Sequence, residues 1–416
     1  AKTTRGCDAS AAKPNVGQRL QGVLDFDLKP KEVKEYLDRF VIGQDEAKKV
    51  LCVALCDHYN RCRAHLRRKL ETTDAEEPSN GLIKPNVLLC GPSGSGKTHL
   101  VRTLARKIGV PFVKADATKF SATGYVGRDV EEIVQQLVAV AQGDVDAAGY
   151  GIVYVDEVDK ICSPPASLGG LTMGSGSGVN NKDVQTSLLK LMEDGEIVVT
   201  SSAPAVRGLP FPSTPPGASG SKMISTRHVL FIFSGAFTRL PEMLAQKQTQ
   251  RRLQSEAEDA GTSDEPDEQS PPDEKGSGGQ QDADILQRAS TEDFVEYGFE
   301  YEFIGRIPVR VGLRHLSVDD LLNILQTSED SVLRQAKEDF RGYGIDVSFE
   351  RAALEVIARK SHGEGTGARG LVTVLEKVLR ELKFELPSTS IRTVVVDPFL
   401  VENPEAGLRR LLEDAS

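Results

Sequence analysis

The sequence predicts an α/β protein: a parallel sheet covered by helices on both faces, followed by a smaller, mainly helical domain. Three observations carry this. Short apolar runs (Asn86-Val87-Leu88-Leu89-Cys90, Gly151-Ile152-Val153-Tyr154-Val155 and Val229-Leu230-Phe231-Ile232-Phe233) have the character of fully buried parallel strands, and they alternate with stretches at helical spacing. The first run leads straight into a glycine-rich loop and then a helix. Beyond about residue 315 amphipathic helices take over.

The glycine loop is Gly91-Pro92-Ser93-Gly94-Ser95-Gly96-Lys97-Thr98, which fits G-x-x-x-x-G-K-[ST]. Its glycines let the backbone curl so that N–H groups point into one concavity suited to a phosphate chain. Lys97 would reach the outer phosphates, and the Thr98 hydroxyl would ligate the magnesium that travels with ATP. The strand ending in Asp156-Glu157 supplies the complement. Asp156 would hold magnesium through its water shell, and Glu157 would orient or polarise the attacking water. Alone, the loop could be a glycine turn with a chance lysine, and the acid pair a solvated loop start. Together they point to ATP binding and hydrolysis.

In chain order, residues 1–28 are expected to form a disordered tail. A large domain over 29–314 begins with helices through Val33, Leu37 and Phe40 and through Ala47 to Leu66. Strand Pro111-Phe112-Val113-Lys114-Ala115 follows the phosphate loop and its helix. The loop Phe120 to Gly127 precedes a helix with Val130, Ile133, Val134, Leu137 and Val138. Ser163–Val179 reads as a Gly/Ser-rich loop, 183–191 as a helix, Ile197-Val198-Val199 as a strand and Ser201–Lys222 as a long loop. An acidic insertion at about 247–287 is expected to be disordered, because 255–284 holds no Val, Ile, Leu, Met or aromatic residue. The small domain spans 315–406, with helices at 318–326, 328–341, 350–361 and 368–386 and a strand at 393–396. Residues 407–416 are expected to be a tail.

The net charge of −10 over 416 residues belongs to the 255–284 stretch of that insertion. Between Ser255 and Asp284 eleven acids face one base, Lys275, so the remainder is balanced and no basic stripe suggests nucleic-acid binding. No apolar run approaches the ~18 residues of a membrane span. The six cysteines form no C-x-x-C pair, so buried free thiols are expected and a zinc site is not.

Taken together, these motifs resemble the ClpX family of AAA+ protein unfoldases, with HslU as its nearest relative, from about Lys29 to Pro404. Val41-Ile42-Gly43-Gln44 is similar to the family segment that packs on the adenine. Gly124-Tyr125-Val126-Gly127 is similar to the pore loop, Glu302-Phe303-Ile304-Gly305-Arg306 to the arginine-finger box, and Gly367-Ala368-Arg369-Gly370-Leu371 to the sensor-2 helix. The resemblance implies an AAA+ phosphate-loop domain and a lid, assembled as a homohexamer with protein substrates. Val41 and Ile42 would contact the base. Arg306 would reach the γ-phosphate bound by the neighbouring subunit, and Arg369 would report the phosphates to the small domain. Tyr125 and Val126 would grip an extended polypeptide in the pore.

The sequence also departs from the family. Cys7 is the only cysteine before residue 50, so the zinc domain is not expected. The second pore loop, Met173 to Gln185, lacks the family's Arg-Asp-Val-Ser-Gly-Glu-Gly-Val-Gln charge pattern, and Ser201–Lys222 holds only Arg207 and Lys222 where the family carries Arg-Lys-His. The aliphatic-Gly-Phe tripeptide that docks a ClpP-type peptidase is not found in the insertion; Tyr297-Gly298-Phe299 belongs to the run entering the finger box. Weak or absent coupling to such a peptidase is expected, with no nucleic-acid or membrane partner. Two alternatives stay open: an AAA+ ATPase acting on nucleic acid, and a regulatory subunit with little activity. The compartment would be the mitochondrial matrix or another organelle if the protein is eukaryotic, the cytoplasm if bacterial.

Overall fold

The structure, a computed structural model, describes residues 20–71, 84–121, 126–162, 181–193, 195–199, 222–259, 286, 288–329 and 331–414. Among them the strands are β1 (Val87–Cys90), β2 (Phe112–Asp116), β3 (Ile152–Asp156), β4 (Glu196–Val199), β5 (Lys222–Ser225), β6 (Leu230–Gly235), β7 (Val309–Gly312), β8 (Asp346–Phe349) and β9 (Thr393–Val396). The main sheet is parallel throughout, in the order β2-β3-β6-β1-β7. β4 and β5 make a separate antiparallel ribbon, and β8 and β9 a parallel pair in the small domain.

Helix α1 (Gln21–Leu24) is followed by α2 (Pro30–Asp38), α3 (Asp45–Glu71) and α4 (Lys97–Ile108). Pro30 opens α2 in its first turn, and the Glu32 carboxylate accepts the Lys29 N–H at 3.1 Å. The large domain continues with α5 (Val126–Val140), α6 (Val145–Ala148), α7 (Asn181–Met192), α8 (Leu240–Asp259), α9 (Thr291–Tyr297) and α10 (Tyr301–Gly305). The small domain holds α11 (Val318–Thr327), α12 (Val332–Gly342), α13 (Arg351–Gly363), α14 (Ala368–Glu385), α15 (Pro398–Glu402) and α16 (Pro404–Asp414).

Apolar burial divides at the same place as the architecture. One core runs from Leu20 to Leu313, centred on β1, β3 and β6, whose apolar residues are all fully buried; the second runs from Leu316 to Leu408. The buried thiols of Cys52, Cys56, Cys62, Cys90 and Cys162 are unpaired, and burial pushes Cys52 and Cys62 up to about 12, so they serve as small apolar residues.

Several expectations need correcting. The large domain starts before residue 29: Leu20, Val23 and Phe26 are buried, and Phe26 packs against Tyr59 with ring centroids 5.6 Å apart. Three apolar residues are too few to register as a helical period. Helix α8 runs to Asp259, so backbone from 247 to 259 is regular where disorder was expected. Residues 407–414 belong to α16, with Leu408 buried in the small-domain core. Strands β5, β7 and β8 were not read from the sequence. Each is only four residues long, and their half-exposed patterns give no continuous apolar run.

Candidate functional site

Strand register brings the site together. Cys90 is level with Gly235 and Asp116 with Asp156, so the carboxyl ends of β1, β2, β3 and β6 share one rim. Ligands of open parallel sheets bind at such a rim. A cavity of about 440 Å³ lies there, lined by the phosphate loop, Asp156, Glu157, Asp159, Gly235 and, from the small domain, Arg369.

The loop residues Gly94 (φ +74°) and Gly96 (φ +96°) adopt the left-handed backbone that frees their neighbours' N–H groups to converge. The Lys97 ammonium donates to the carbonyls of Gly91 (2.7 Å) and Pro92 (2.8 Å) within its own loop. Burial draws Lys97 below the usual lysine range, against the pull of Asp156 and Asp159. Ser93 lines the cavity, while Ser95 is buried with its hydroxyl unpartnered.

Asp156 is the most heavily bonded acid on the rim. Its Oδ1 accepts from Ser234 Oγ at 2.5 Å and from the Glu157 N–H at 3.1 Å, and its Oδ2 lies 3.4 Å from Thr98 Oγ1 and 2.8 Å from Lys114 Nζ. Burial works against ionisation, but Lys114 and Ser234 outweigh it and hold this carboxyl below the usual range. Tyr154 ties the group together, its hydroxyl 2.6 Å from Ser234 Oγ and 3.1 Å from Thr98 Oγ1. Glu157 sits at φ +59°, a left-handed conformation that costs a non-glycine residue ~1 kcal/mol or more, and its carboxylate is turned to Lys160 at 2.7 Å.

Arg369, in the first turn of α14, donates from Nη1 to Ser93 Oγ at 3.1 Å. Arg306 is elsewhere: it follows α10, is well exposed, and pairs with Glu193 at 2.9 Å, outside the cavity lining. Val41 is buried, and neither it nor Ile42 belongs to that lining. Tyr125 lies outside the described residues; Val126 opens α5, its side chain likewise undescribed.

Four residues escaped the sequence reading of the site. Tyr154 and Ser234 carried a signal, as polar groups inside apolar strands. Lys114, in β2, is a lysine within a buried-type run. Gln44, quoted only as part of a segment, donates to Arg314 O at 2.8 Å, accepts from Arg314 N at 3.0 Å and reaches Ser95 O at 3.5 Å.

The fold and the site define an ATPase of the AAA class, and residues 84–310 match the AAA domain (Cdc48 subfamily) family. Proteins named ATP-dependent Clp protease ATP-binding subunit ClpX are similar over nearly the whole chain. The Treponema denticola protein is 35% identical, covering 95% of this chain and 83% of its own. The Borrelia duttonii protein is 38% identical over 88% and 77%, and the Azotobacter vinelandii protein 37% identical over 93% and 82%. The chain belongs to the ClpX family: it is a nucleotide- and magnesium-dependent AAA+ ATPase with ClpX-like unfoldase function.

Proposed function

We propose that the chain assembles as a homohexamer, hydrolyses ATP between its large and small domains, and uses the resulting domain motion to draw protein substrates through a central pore. The observation that carries this reading is the bridge at the phosphate loop, where Ala368 N donates to Gly94 O at 3.1 Å beside the Arg369–Ser93 bond. A change in what the loop holds must alter that bridge, and with it the seat of the whole small domain.

In this reading the loop beyond Pro92, through Gly94 and Gly96 to the start of α4, wraps the phosphates with backbone N–H groups. Lys97 exchanges its two loop carbonyls for phosphate oxygens, an exchange favoured because its buried ammonium then meets full negative charge. Thr98 Oγ1 and Asp156 Oδ2, 3.4 Å apart, are hard oxygens that fit magnesium, the hydroxyl as a ligand and the carboxylate through the metal's water shell. Magnesium bound there would neutralise phosphate charge and polarise the terminal phosphoryl group. Glu157 leaves Lys160 to orient water, while Arg369 contacts the phosphates in its own subunit. Arg306, exposed and outside the lining of its own cavity, serves a neighbour's site. Val41 and Ile42 form the base-binding side.

Tyr125 and Val126 grip the substrate sterically, which needs bulk and no sequence-specific hydrogen bonds. Without a recognisable docking tripeptide, coupling to a ClpP-type peptidase is weak or absent. Nucleic acid is not a substrate, since the charge outside the acidic insertion is balanced.

The test is ATP-dependent loss of fluorescence from a green fluorescent protein bearing an unstructured tag, run alone and with a ClpP-type peptidase. Wild type should unfold the reporter without its degradation, and Tyr125→Ala should hydrolyse ATP yet leave it folded. Unfolding by Tyr125→Ala at the wild-type rate would overturn the pore-grip assignment, and degradation of the reporter would overturn the weak coupling.

A further inference from the structure

Lys114 has no part in the roles above, yet its ammonium stands against the carboxylate oxygen that faces Thr98. β2 and β3 pair in parallel with Lys114 level with Tyr154, which places Lys114, Tyr154 and Asp156 on one face of the sheet. On that face Lys114 Nζ lies 2.8 Å from Asp156 Oδ2 and 5.9 Å from the centre of the Tyr154 ring. Thr98 Oγ1 approaches the same Oδ2 at 3.4 Å. The other oxygen, Oδ1, is already engaged by Ser234 and the Glu157 N–H. Asp156 therefore has one oxygen free to face a cation, and in this structure a side-chain cation faces it.

We propose that Lys114 is a positioning residue that acts as a built-in counter-ion to Asp156 and competes with the divalent cation for Oδ2. The proposal rests on the reading of Asp156 as the metal-facing acid.

A buried carboxylate without a partner is costly, so a cation in this place stabilises the rim before nucleotide arrives. A metal held through its water shell would put positive charge and its own water donors against Oδ2, where the ammonium already stands, and the two would repel, which favours the ammonium turning away. Lys114 has somewhere to go. It lines a second cavity of about 480 Å³ whose walls carry the carboxylates of Asp116 and Glu132, two acids against the one further base there, Lys119. Its side chain is 37% exposed, against 17% for Asp156, so the lysine can swing while the aspartate stays. The consequence is a weaker apparent affinity for the metal than the oxygen donors alone would give.

The experiment is a titration of Mn2+ into the full chain with saturating ADP, reading free Mn2+ by electron paramagnetic resonance. Lys114→Met and Lys114→Gln should bind Mn2+ roughly two- to fivefold more tightly than wild type, the range expected for a partly exposed ion pair. Lys114→Arg should stay near wild type. Unchanged or weaker binding in both neutral variants would overturn the proposal. Asp156→Asn separates the two layers. If it binds Mn2+ as wild type does, the metal-facing reading itself fails. If it loses Mn2+ while the neutral Lys114 variants are unaltered, only the counter-ion role fails.

Discussion

Arg369 Nη1 lies 3.1 Å from Ser93 Oγ, so a residue of the small domain touches the phosphate loop 276 positions earlier in the chain. The backbones meet there as well. A Cβ on Gly94 would stand 2.0 Å from Thr366 O, and one on Gly367 would stand 2.7 Å from Gly94 O. Both residues also have left-handed φ, +74° and +61°. Arg369→Ala should lower ATP turnover by about 10²- to 10³-fold, the usual loss for one transition-state donor. It should shift the melting temperature little, because the bond is exposed. Gly367→Ala should reduce both, with destabilisation above ~1 kcal/mol, since contact and backbone are offended together. Steady-state turnover beside thermal melts checks the pair, and a silent Gly367→Ala would mean the domains do not close on this contact.

Gln44 joins three parts of the molecule: the segment before α3, the phosphate loop through Ser95 O, and the inter-domain link through both backbone groups of Arg314. Arg314 is held in turn by Asp320, which also caps α11 with Ser317. Gln44→Leu keeps the bulk and removes every bond. A buried backbone group left unpaired costs about 1–3 kcal/mol, and two part-buried groups of Arg314 and the Ser95 carbonyl lose a partner here, so urea unfolding should show a loss of at least that size. Affinity for a fluorescent ADP should fall with it.

What the sequence disclosed depended on how local the information was. The phosphate loop and Asp156-Glu157 are contiguous motifs, and the structure brings Lys97, Thr98, Asp156, Glu157 and Arg369 to one cavity. Strands β1, β3 and β6 were legible because burial on both faces leaves an unbroken apolar run. β7 and β8 were not, since four residues that are only partly buried give no continuous apolar run until a partner strand is known. Lys114 and Gln44 failed for a different reason. Their importance lies in contacts across 42 and 270 positions, to Asp156 and Arg314, which no spacing rule reports.

Glu157→Gln isolates chemistry from binding. The change keeps shape and removes only the charge, while Lys97, Thr98 and Asp156 remain to hold nucleotide. Turnover should fall by about 10²- to 10⁴-fold with affinity for a fluorescent ATP analogue nearly unaltered. The ion pair to Lys160 is exposed on both sides and contributes little to stability, so the melting temperature should not move appreciably. A large loss of binding would show that Glu157 holds nucleotide instead of activating water.

Stability should decline on mild acidification because of two histidines remote from the nucleotide. His58 is buried on α3, with Nε2 3.1 Å from the His228 carbonyl, and the His228 ring stacks on Tyr150 and lies 4.3 Å from His65. Burial lowers both His58 and His228 to about 3, helped by Arg61 and Lys84 near the first and by His65, His58, Arg227 and Lys84 near the second. The folded pKa values thus lie below the unfolded value of ~6.5. Between those limits the unfolded chain binds more protons than the folded one, so stability rises with pH and is lost as pH falls below ~6.5. Each histidine can contribute up to about 1.4 kcal/mol per pH unit within that window. Melts from pH 7.5 to 5.0, above the range where carboxylates dominate, should fall steadily. His58→Gln retains a donor for the His228 carbonyl but cannot titrate, so its slope over that range should be shallower than wild type. An identical slope would place the acid sensitivity elsewhere.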